Sequence, residues 1–308
     1  MYDSVKLYLP EERAGTELLA HTPQLLECTT EHFRAGKVVI SGYLNNLKVA
    51  VSNEGLSVNG SLAKYWMDDN IQTLRRQDTE QAIESLSDEL HLPVSEANVS
   101  RVDFAHNFIM RYEPEVYYNY LGESQYFKRF NQPESLYYNN GNRVKLFYDK
   151  KSEAKAKAYE LPEIWRGKHI LRYEIRYKRR LSKQFKEPEV KAGTLPDEQF
   201  YIKLVDRYVS DYQDIHKNPQ IHFDIEKMSS PKEFWRQLAL MKVEEIGQNK
   251  LMELIDEWRA KDVFSKPEYY SRLKKEIREL CKKNETSESV PVIEELDSKI
   301  SALKRYYR

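Results

Sequence analysis

A carboxylate stands beside an arginine in the stretch SRVDFAHNFIM at 100–110, where apolar and polar residues alternate as in a β-strand. Alternation puts Val102 and Phe104 on the face that packs in the core. Arg101 and Asp103 then lie on the other face, which we expect to be accessible to solvent. A carboxylate there can bind a divalent metal ion, or it can form a surface ion pair with a neighbouring arginine.

A second carboxylate has a similar setting in KHILRYEIRYK at 168–178, where Glu174 lies between Arg172 and Arg176 on one strand face. Mg²⁺ and Mn²⁺ take oxygen ligands and polarise phosphate groups, while arginines hold the flanking phosphates. Asp103 and Glu174 are therefore the candidate metal ligands of a phosphodiester-cleaving site. The alternative is that both carboxylates are partners of arginines on neighbouring strands.

A candidate nucleophile ends the β-hairpin predicted for 134–150, which we expect to turn at Asn140 and Gly141 through a two-residue type I′ turn. Tyr148 stands two residues before Lys150, and a nearby cation favours the phenolate that attacks phosphorus. The alternative is that Tyr148 is a packing aromatic. Its strand phase matches apolar residues of the same arm, so it points partly toward the core unless the strand bends or ends there.

Basic residues are concentrated at 165–186, which holds nine Lys or Arg and a single acid, although the net charge of the chain is zero. A neutral chain does not simply coat nucleic acid, but this stretch can form a DNA-contacting face. The alternative is that these cations lie on an exposed strand edge, where Lys and Arg prevent edge-to-edge aggregation. The candidate DNA-binding residues are Arg101, Arg143, Lys145, Arg176, Lys178, Arg179 and Arg180.

The pattern of the chain predicts an α+β fold with two regions. Residues 1–190 read as an antiparallel β-sheet domain with flanking helices, and residues 191–308 read as an all-helical C-terminal region. The predicted strands are 4–9, 37–43, 46–52, 55–59, 100–110, two arms within 134–150, and 168–178. The predicted helices are 78–91, 114–121, 197–212, 230–260, 267–283 and 290–308.

Bulk properties fit a globular protein, because 40% of the 308 residues are hydrophobic and 32% are charged. No apolar run reaches transmembrane length, and the first residues lack a basic start followed by an apolar stretch, so we expect neither a transmembrane helix nor a signal peptide. Cys28 and Cys281 lie far apart and form no metal-spacing motif. We therefore expect a reducing, cytoplasmic setting.

Four motifs in a fixed order resemble the phage and plasmid replication proteins of the gene II/X family over roughly residues 60–190. They are GSLAKYW, SRVDFAHNF, LYYNNGNRVKLFYDK and LRYEIRYKRRLSKQF. The resemblance implies a rolling-circle replication initiator in a bacterial host. Such enzymes cut one strand at a double-strand origin, stay linked to the 5′ phosphate through tyrosine, and leave a free 3′ hydroxyl.

The resemblance also implies roles for individual residues. The R-x-D strand matches Arg101 and Asp103, and the R-x-E strand matches Arg172 and Glu174. The Y-x-K arm, which carries the nicking tyrosine in filamentous-phage members, matches Tyr148 and Lys150. Tyr148, Lys150 and Arg172 are thus the expected catalytic residues.

The chain departs from better-known rolling-circle nucleases in two ways. It lacks a His-hydrophobic-His metal motif, so its metal site must be carboxylate-based; His216 and His222 are isolated, and His106 has the strand phase of a core residue. Related plasmid initiators place the nucleophile on a helix after the R-x-E strand. Here that segment offers Tyr208 and Tyr212, which share a helical face and can equally pack against a sheet.

Two other functions remain open at this level. A non-cleaving initiator would bind the origin and recruit replication machinery, and a protein adaptor would dock partners on its C-terminal helices. For the nicking enzyme we expect origin DNA, single-stranded or as a hairpin, and a host helicase and polymerase as partners. A nicking assay with Mn²⁺ separates the nicking enzyme from the non-cleaving initiator, and absence of any DNA binding would favour the adaptor.

Overall fold

A ten-stranded antiparallel sheet dominates the protein in the computed structural model, which describes residues 1–34, 36–158, 161–218, 230–282 and 290–307. The strands are β1 (Tyr2–Pro10), β2 (Glu27–Arg34), β3 (Lys37–Leu44), β4 (Leu47–Ser52), β5 (Gly55–Ser61), β6 (Asn98–Met110), β7 (Leu121–Ser124), β8 (Lys128–Gln132), β9 (Ser135–Asn139), β10 (Arg143–Asp149), β11 (His169–Tyr177) and β12 (Ile215–Lys217). The order in the large sheet is β2-β3-β4-β5-β1-β6-β11-β10-β9-β8, and β12 pairs with β7 in a second sheet.

The described helices are α1 (Glu11–Ala14), α2 (Leu18–His21), α3 (Leu62–Met67), α4 (Arg76–Leu90), α5 (Pro114–Tyr120), α6 (Lys150–Ala156), α7 (Leu181–Phe185), α8 (Glu198–Gln213), α9 (Pro231–Ile246), α10 (Gln248–Ala260), α11 (Glu268–Lys282) and α12 (Pro291–Tyr306). A large antiparallel sheet followed by α9–α12 confirms the predicted α+β class. None of the described helices is long and apolar enough to cross a membrane.

The core lies on one face of the sheet, which we call the helix-packed face. Phe147 stacks on Tyr173 with ring centroids 4.4 Å apart, and Tyr208 of α8 packs on Tyr173 at 4.5 Å. Helix α12 lies against α8, where the Tyr212 hydroxyl donates to Asp297. Aromatic burial of this kind supplies the largest apolar area per residue and anchors α8 to the sheet. A domain boundary at residue 190 stays a prediction.

The hairpin of β9 and β10 is confirmed, but its expected type I′ turn is wrong. That turn needs positive φ at both central residues, and of the two only Gly141, at φ 83°, has it. The connection is longer: the Asn140 side chain accepts hydrogen bonds from the backbone N–H groups of Asn142 (3.1 Å) and Arg143 (2.8 Å). The sequence pattern also missed β2, whose residues 27–33 are exposed on both faces and largely polar.

Candidate DNA-cleavage site

Strand register places the predicted site residues on the face opposite the core, which we call the polar face. Across β6 and β11, Asn107 lies opposite Arg172 and Asp103 lies opposite Arg176. Across β10 and β11, Tyr148 lies opposite Arg172. Directly paired residues point to the same side of a sheet, so three neighbouring strands bring these side chains together.

Arg172 is the fully buried centre of this group. Its guanidinium donates to Glu174 Oε2 (3.2 Å), to the backbone oxygen of Asn70 (3.0 Å) and to a carboxylate oxygen of Asp3. Burial acts to lower the pKa of Arg172, but the neighbouring Tyr148, Asp3 and Glu174 raise it above the ordinary value, so it stays charged. A guanidinium with this many fixed partners positions its neighbours and has no surface for DNA.

Glu174 is held between two arginines. Arg176 Nε donates to Oε1 at 2.6 Å, and Arg172 Nε donates to Oε2. Burial acts to raise the pKa of Glu174, yet the charges of Arg172 and Arg176 outweigh it and lower the pKa below its ordinary value. Glu174 is therefore a carboxylate at neutral pH.

Asp103 is a weaker acid than Glu174. Burial raises its pKa from 3.8 to about 7; hydrogen bonds from Arg101 oppose the rise, and the charge of Glu174 adds to it. Arg101 Nε donates to Oδ1 at 2.7 Å, and Arg176 Nε lies 3.9 Å from Oδ2. Because burial and the charge of Glu174 raise the pKa of Asp103, a cation added beside the two carboxylates would lower it.

Tyr148 is half-buried, and its hydroxyl donates to Glu174 Oε2 at 3.4 Å, which is a long hydrogen bond. Burial raises the pKa of Tyr148 well above its ordinary value, while the charge of Arg172 acts to lower it and that of Glu174 to raise it. The phenol is thus protonated at neutral pH, with a carboxylate placed to accept its proton.

Lys150 begins α6 directly after the end of β10, where Asp149 caps the helix by accepting from the Lys151 N–H at 2.8 Å. The buried Lys150 Nζ donates to Asn70 Oδ1 (2.8 Å) and to Glu153 Oε2 (2.5 Å). Burial lowers its pKa to about 8. Because the strand ends here, the chain turns and Lys150 leaves the alternation that would otherwise place it.

Two buried carboxylates, an ordered arginine and a tyrosine on one sheet face form an arrangement suited to phosphodiester chemistry. The family described as the N-terminal part of the phage gene II replication-associated protein matches residues 1–212, more than half of the chain. The chain belongs to this family. No curated protein matches the chain. Membership in this phage replication-initiator family supports a role in rolling-circle replication and in binding origin DNA.

Sequence reasoning missed several members of the site in this gene II-family chain. Asp3 of β1 accepts from Ser61 Oγ at 2.7 Å, and Ser61 also caps α3 by accepting from the Lys64 N–H. These contacts give a structural role to the GSLAKYW motif, which begins at Gly60, where a side chain would meet Leu47. Asn107 carried a signal, since it shares the strand phase of Asp103, whereas nothing in the pattern singled out Asp3.

The expectation that Asp103 and Glu174 face solvent is wrong. Asp103 is 1% exposed and Glu174 is 3% exposed, because Arg101 and Arg176 lie over them as ion-pair partners. Alternation assigned the face correctly, but it says nothing about side chains that fold over their neighbours. Arg101 and Arg176 are each about one-third exposed and form the rim of the site.

Two predicted DNA-binding residues lie on the wrong face. Lys145 is fully buried on the helix-packed face, where Nζ donates to Ser124 Oγ (2.9 Å) and to the backbone oxygen of Asp211. Arg143 forms an ion pair with the Asp211 carboxylate. Their strand phase is opposite to that of Tyr148, so neither side chain reaches the polar face. By contrast, Lys178 is half-buried, and Arg179 and Arg180 are exposed beyond the end of β11.

The alternative nucleophiles of α8 also face away from the site. Tyr208 is fully buried and its hydroxyl donates to the backbone oxygen of Tyr173 at 2.8 Å. The Tyr212 hydroxyl donates to Asp297 Oδ1 at 2.5 Å. Both tyrosines pack against the helix-packed face of the sheet. His106 of β6 lies on that face, where its ring contacts Phe108. His222 lies outside the described residues.

The donor chemistry of the site suits Mg²⁺ or Mn²⁺. These ions bind one or two carboxylates together with phosphate oxygens and water, and Asp103 and Glu174 offer such a pair. Among the described residues there is no cluster of three or more histidine, cysteine or acidic side chains arranged for a metal. Arg101 and Arg176 donate to these carboxylate oxygens and are each about one-third exposed, and guanidinium groups are also common partners of phosphates.

Proposed function

We propose that this chain is the nicking enzyme of a rolling-circle replicon. It cuts one strand at the double-strand origin by transesterification, leaving a 5′-phosphotyrosyl link on Tyr148 and a free 3′ hydroxyl. The observation that carries the proposal is the placement of Tyr148. Its hydroxyl contacts the ionised Glu174 on the polar face, beside Arg172 and on the same face as Asp103.

The reaction needs one bond made and one broken. The phenolic oxygen of Tyr148 attacks phosphorus, and the bond from phosphorus to the 3′ oxygen breaks. Glu174 accepts the phenolic proton, and the departing 3′ oxygen takes a proton from water to become the hydroxyl. The phosphotyrosyl ester conserves the energy of the phosphodiester, so that a later attack by a 3′ hydroxyl can re-join the strand.

Asp103 and Glu174 would hold Mg²⁺ or Mn²⁺ together with phosphate oxygens. When bound, the ion supplies positive charge that polarises the scissile phosphate and favours the phenolate. The side chains of this chain then have separate tasks. Arg172 fixes the orientation of Glu174, Lys150 adds positive charge and secures Asn70, and Arg101 and Arg176 turn toward the phosphates.

The wider assignment follows from this chemistry. We assign nicking to residues 1–190 and DNA or partner binding to the helical region 191–308. The free 3′ hydroxyl is a primer, so its use requires a host polymerase and a helicase that unwinds the strand ahead. Lys178, Arg179 and Arg180 lie at the end of β11, where they extend the positive surface next to the site.

The test is nicking of supercoiled DNA of the replicon that encodes the chain, with Mn²⁺ present. Wild-type protein should convert supercoiled to open-circular DNA, and Asp103→Asn and Glu174→Gln should each lose at least about 100-fold in rate. Electron paramagnetic resonance of Mn²⁺ should show weaker binding by both variants. Glu80→Gln, an exposed change on α4, is the matched control and should behave as wild type.

The outcomes separate the competing functions. Origin binding by the wild-type protein with no nicking under any metal condition would identify a non-cleaving initiator. Near-wild-type nicking and Mn²⁺ binding by one carboxylate variant would remove that residue from the metal site.

A further inference from the structure

A row of exposed polar residues crosses the N-terminal half of the sheet on the polar face. Register pairs Tyr43 of β3 with Lys48 of β4, Lys48 with Asn59 of β5, Asn59 with Lys6 of β1, and Lys6 with Arg101 of β6. Because directly paired residues share a face, these five side chains form one continuous line across five strands. We call them the basic row.

The basic row leads directly to the proposed cleavage site. Arg101, at one end, is the ion-pair partner of Asp103. One strand further, Val102 pairs with Tyr177, so Lys178 continues the line at the end of β11. At the other end Glu27 of β2 lies opposite Tyr43, and its negative charge ends the row.

The lysines of the basic row lie on the solvent-exposed side of their strands. The opposite faces of the same strands are buried, with Leu7, Val49 and Val58 almost inaccessible to solvent. Lys6 and Lys48 are exposed, and neither forms an ion pair with another described residue. Exposed cations that lack a carboxylate partner are free to bind an external anion.

The dimensions of the row match a polynucleotide. Neighbouring strands lie about 4.8 Å apart, so the line from β3 to β11 is about 24 Å long. That length covers roughly seven nucleotides at the duplex spacing of about 3.4 Å per residue along one strand. Cations spread along a row of this length suit a linear array of phosphates better than they suit a compact anion.

Aromatic rings accompany the cations. Tyr43 is 44% exposed within the row, and Tyr8 is 39% exposed two residues along β1 from Lys6. The Tyr8 hydroxyl donates to the backbone oxygen of Glu54 at 2.8 Å, which holds the ring in place. Exposed aromatic rings beside a line of cations are typical of surfaces that bind single-stranded nucleic acid, where rings stack on bases.

We propose that the basic row, together with Tyr8, is the track for the DNA strand that continues from the nicked phosphate. The proposal rests on the proposed nicking function, since that function places a phosphate beside Asp103 and Arg101. It assigns DNA binding to Lys6, Lys48, Asn59, Tyr8 and Tyr43, all from the first sixty residues. Direct continuity with the cleavage site favours DNA over an acidic protein as the occupant.

The test measures binding of a fluorescein-labelled thymidine oligonucleotide of about 20 nucleotides by anisotropy at several salt concentrations. In the Lys6→Ala/Lys48→Ala double variant, the log–log salt slope should fall by about 1.4, since each phosphate contact contributes about 0.7 on a single strand. The same contribution predicts roughly 25-fold weaker binding at 0.1 M salt. Lys6→Arg/Lys48→Arg should restore both, and Tyr43→Leu should weaken binding without changing the slope.

The matched control is Lys128→Ala/Lys155→Ala, which removes two exposed lysines from β8 and α6 and should leave affinity and slope unchanged. If the wild type nicks DNA and the Lys6→Ala/Lys48→Ala variant binds the oligonucleotide as tightly as the wild type, the proposed track is wrong while the proposed nicking function stands. Absence of oligonucleotide binding by the wild-type protein overturns it as well. Oligonucleotide binding that falls in the double variant, with no nicking by the wild type, supports the track and overturns the proposed function instead.

Discussion

Replacing Asp103 by Asn should stabilise the folded protein at alkaline pH while it destroys the proposed site. The folded-state pKa of Asp103 is about 7 against an ordinary value of 3.8. A raised carboxyl pKa stabilises the fold below pH 4, where the group is protonated in both states. That stabilisation is lost as pH rises from about 4 to about 7, because the unfolded chain ionises this carboxyl group there while the folded protein keeps it protonated.

The size of the effect follows from the difference between these two pKa values. It corresponds to about 4 kcal/mol in all, of which about 3 kcal/mol falls between pH 5 and pH 8. Asparagine is neutral at both pH values and carries no such penalty, and Arg101 is exposed enough to be hydrated when its partner is lost. The Asp103→Asn variant should therefore gain about 3 kcal/mol relative to wild type between pH 5 and pH 8.

Urea denaturation of both proteins at pH 5, 6, 7 and 8 measures the difference, since titrating groups that do not interact with Asp103 cancel in the comparison. Asp88→Asn, an exposed change on α4, is the control and should shift the free energy of unfolding by no more than about 0.5 kcal/mol at any pH. A difference that does not change with pH, or one that grows in favour of the wild type, would refute the burial argument for Asp103.

Three further results are expected. Arg172→Met should lower the free energy of unfolding by about 3–5 kcal/mol in urea melts, because it leaves the buried Asp3 carboxylate without its ion-pair partner and Glu174 with only one of its two arginines; a loss under about 1 kcal/mol would contradict this. Nicking should rise with pH through about 7 as Asp103 ionises, and its midpoint should move lower when Mn²⁺ is raised; a flat profile between pH 5 and pH 8 would remove Asp103 from the reaction. Tyr208→Phe and Tyr212→Phe should keep full nicking and lose only about 1 kcal/mol each, so loss of nicking in either would return the nucleophile to α8.

Local pattern predicted which face each strand residue takes, and long-range packing decided the rest. Strand alternation correctly grouped Asp103 and Asn107 on one face. The helical spacing of Tyr208 and Tyr212 was compatible with packing against a sheet, which is where both lie. Alternation could not anticipate that Lys145, a lysine, would be fully buried on the opposite face, because its partner Asp211 lies 66 residues away. How deeply a side chain is buried depends on neighbours that are distant in sequence.

The same limit explains the members of the site that sequence reasoning missed. Asp3 accepts a hydrogen bond from Arg172, which is 169 residues away in the sequence, and no pattern around Asp3 indicates that it belongs to the site on the polar face. The ordered motifs identified the family correctly, because their order and spacing can be read from the sequence without knowing which residues are in contact. Strand β2 was missed because its exposed, largely polar residues lack the alternation of a half-buried strand.

The measurement that tests the central claim most directly is mass spectrometry of the wild-type protein after incubation with Mn²⁺ and single-stranded origin DNA, compared with Tyr148→Phe. Phenylalanine keeps the ring and its packing and removes only the attacking oxygen. We expect a nucleotide adduct on the peptide that carries Tyr148 in the wild type, and neither adduct nor nicking in the variant, which should still bind DNA. An adduct that persists in Tyr148→Phe, or nicking by the wild type with no adduct on any tyrosine, would contradict the account.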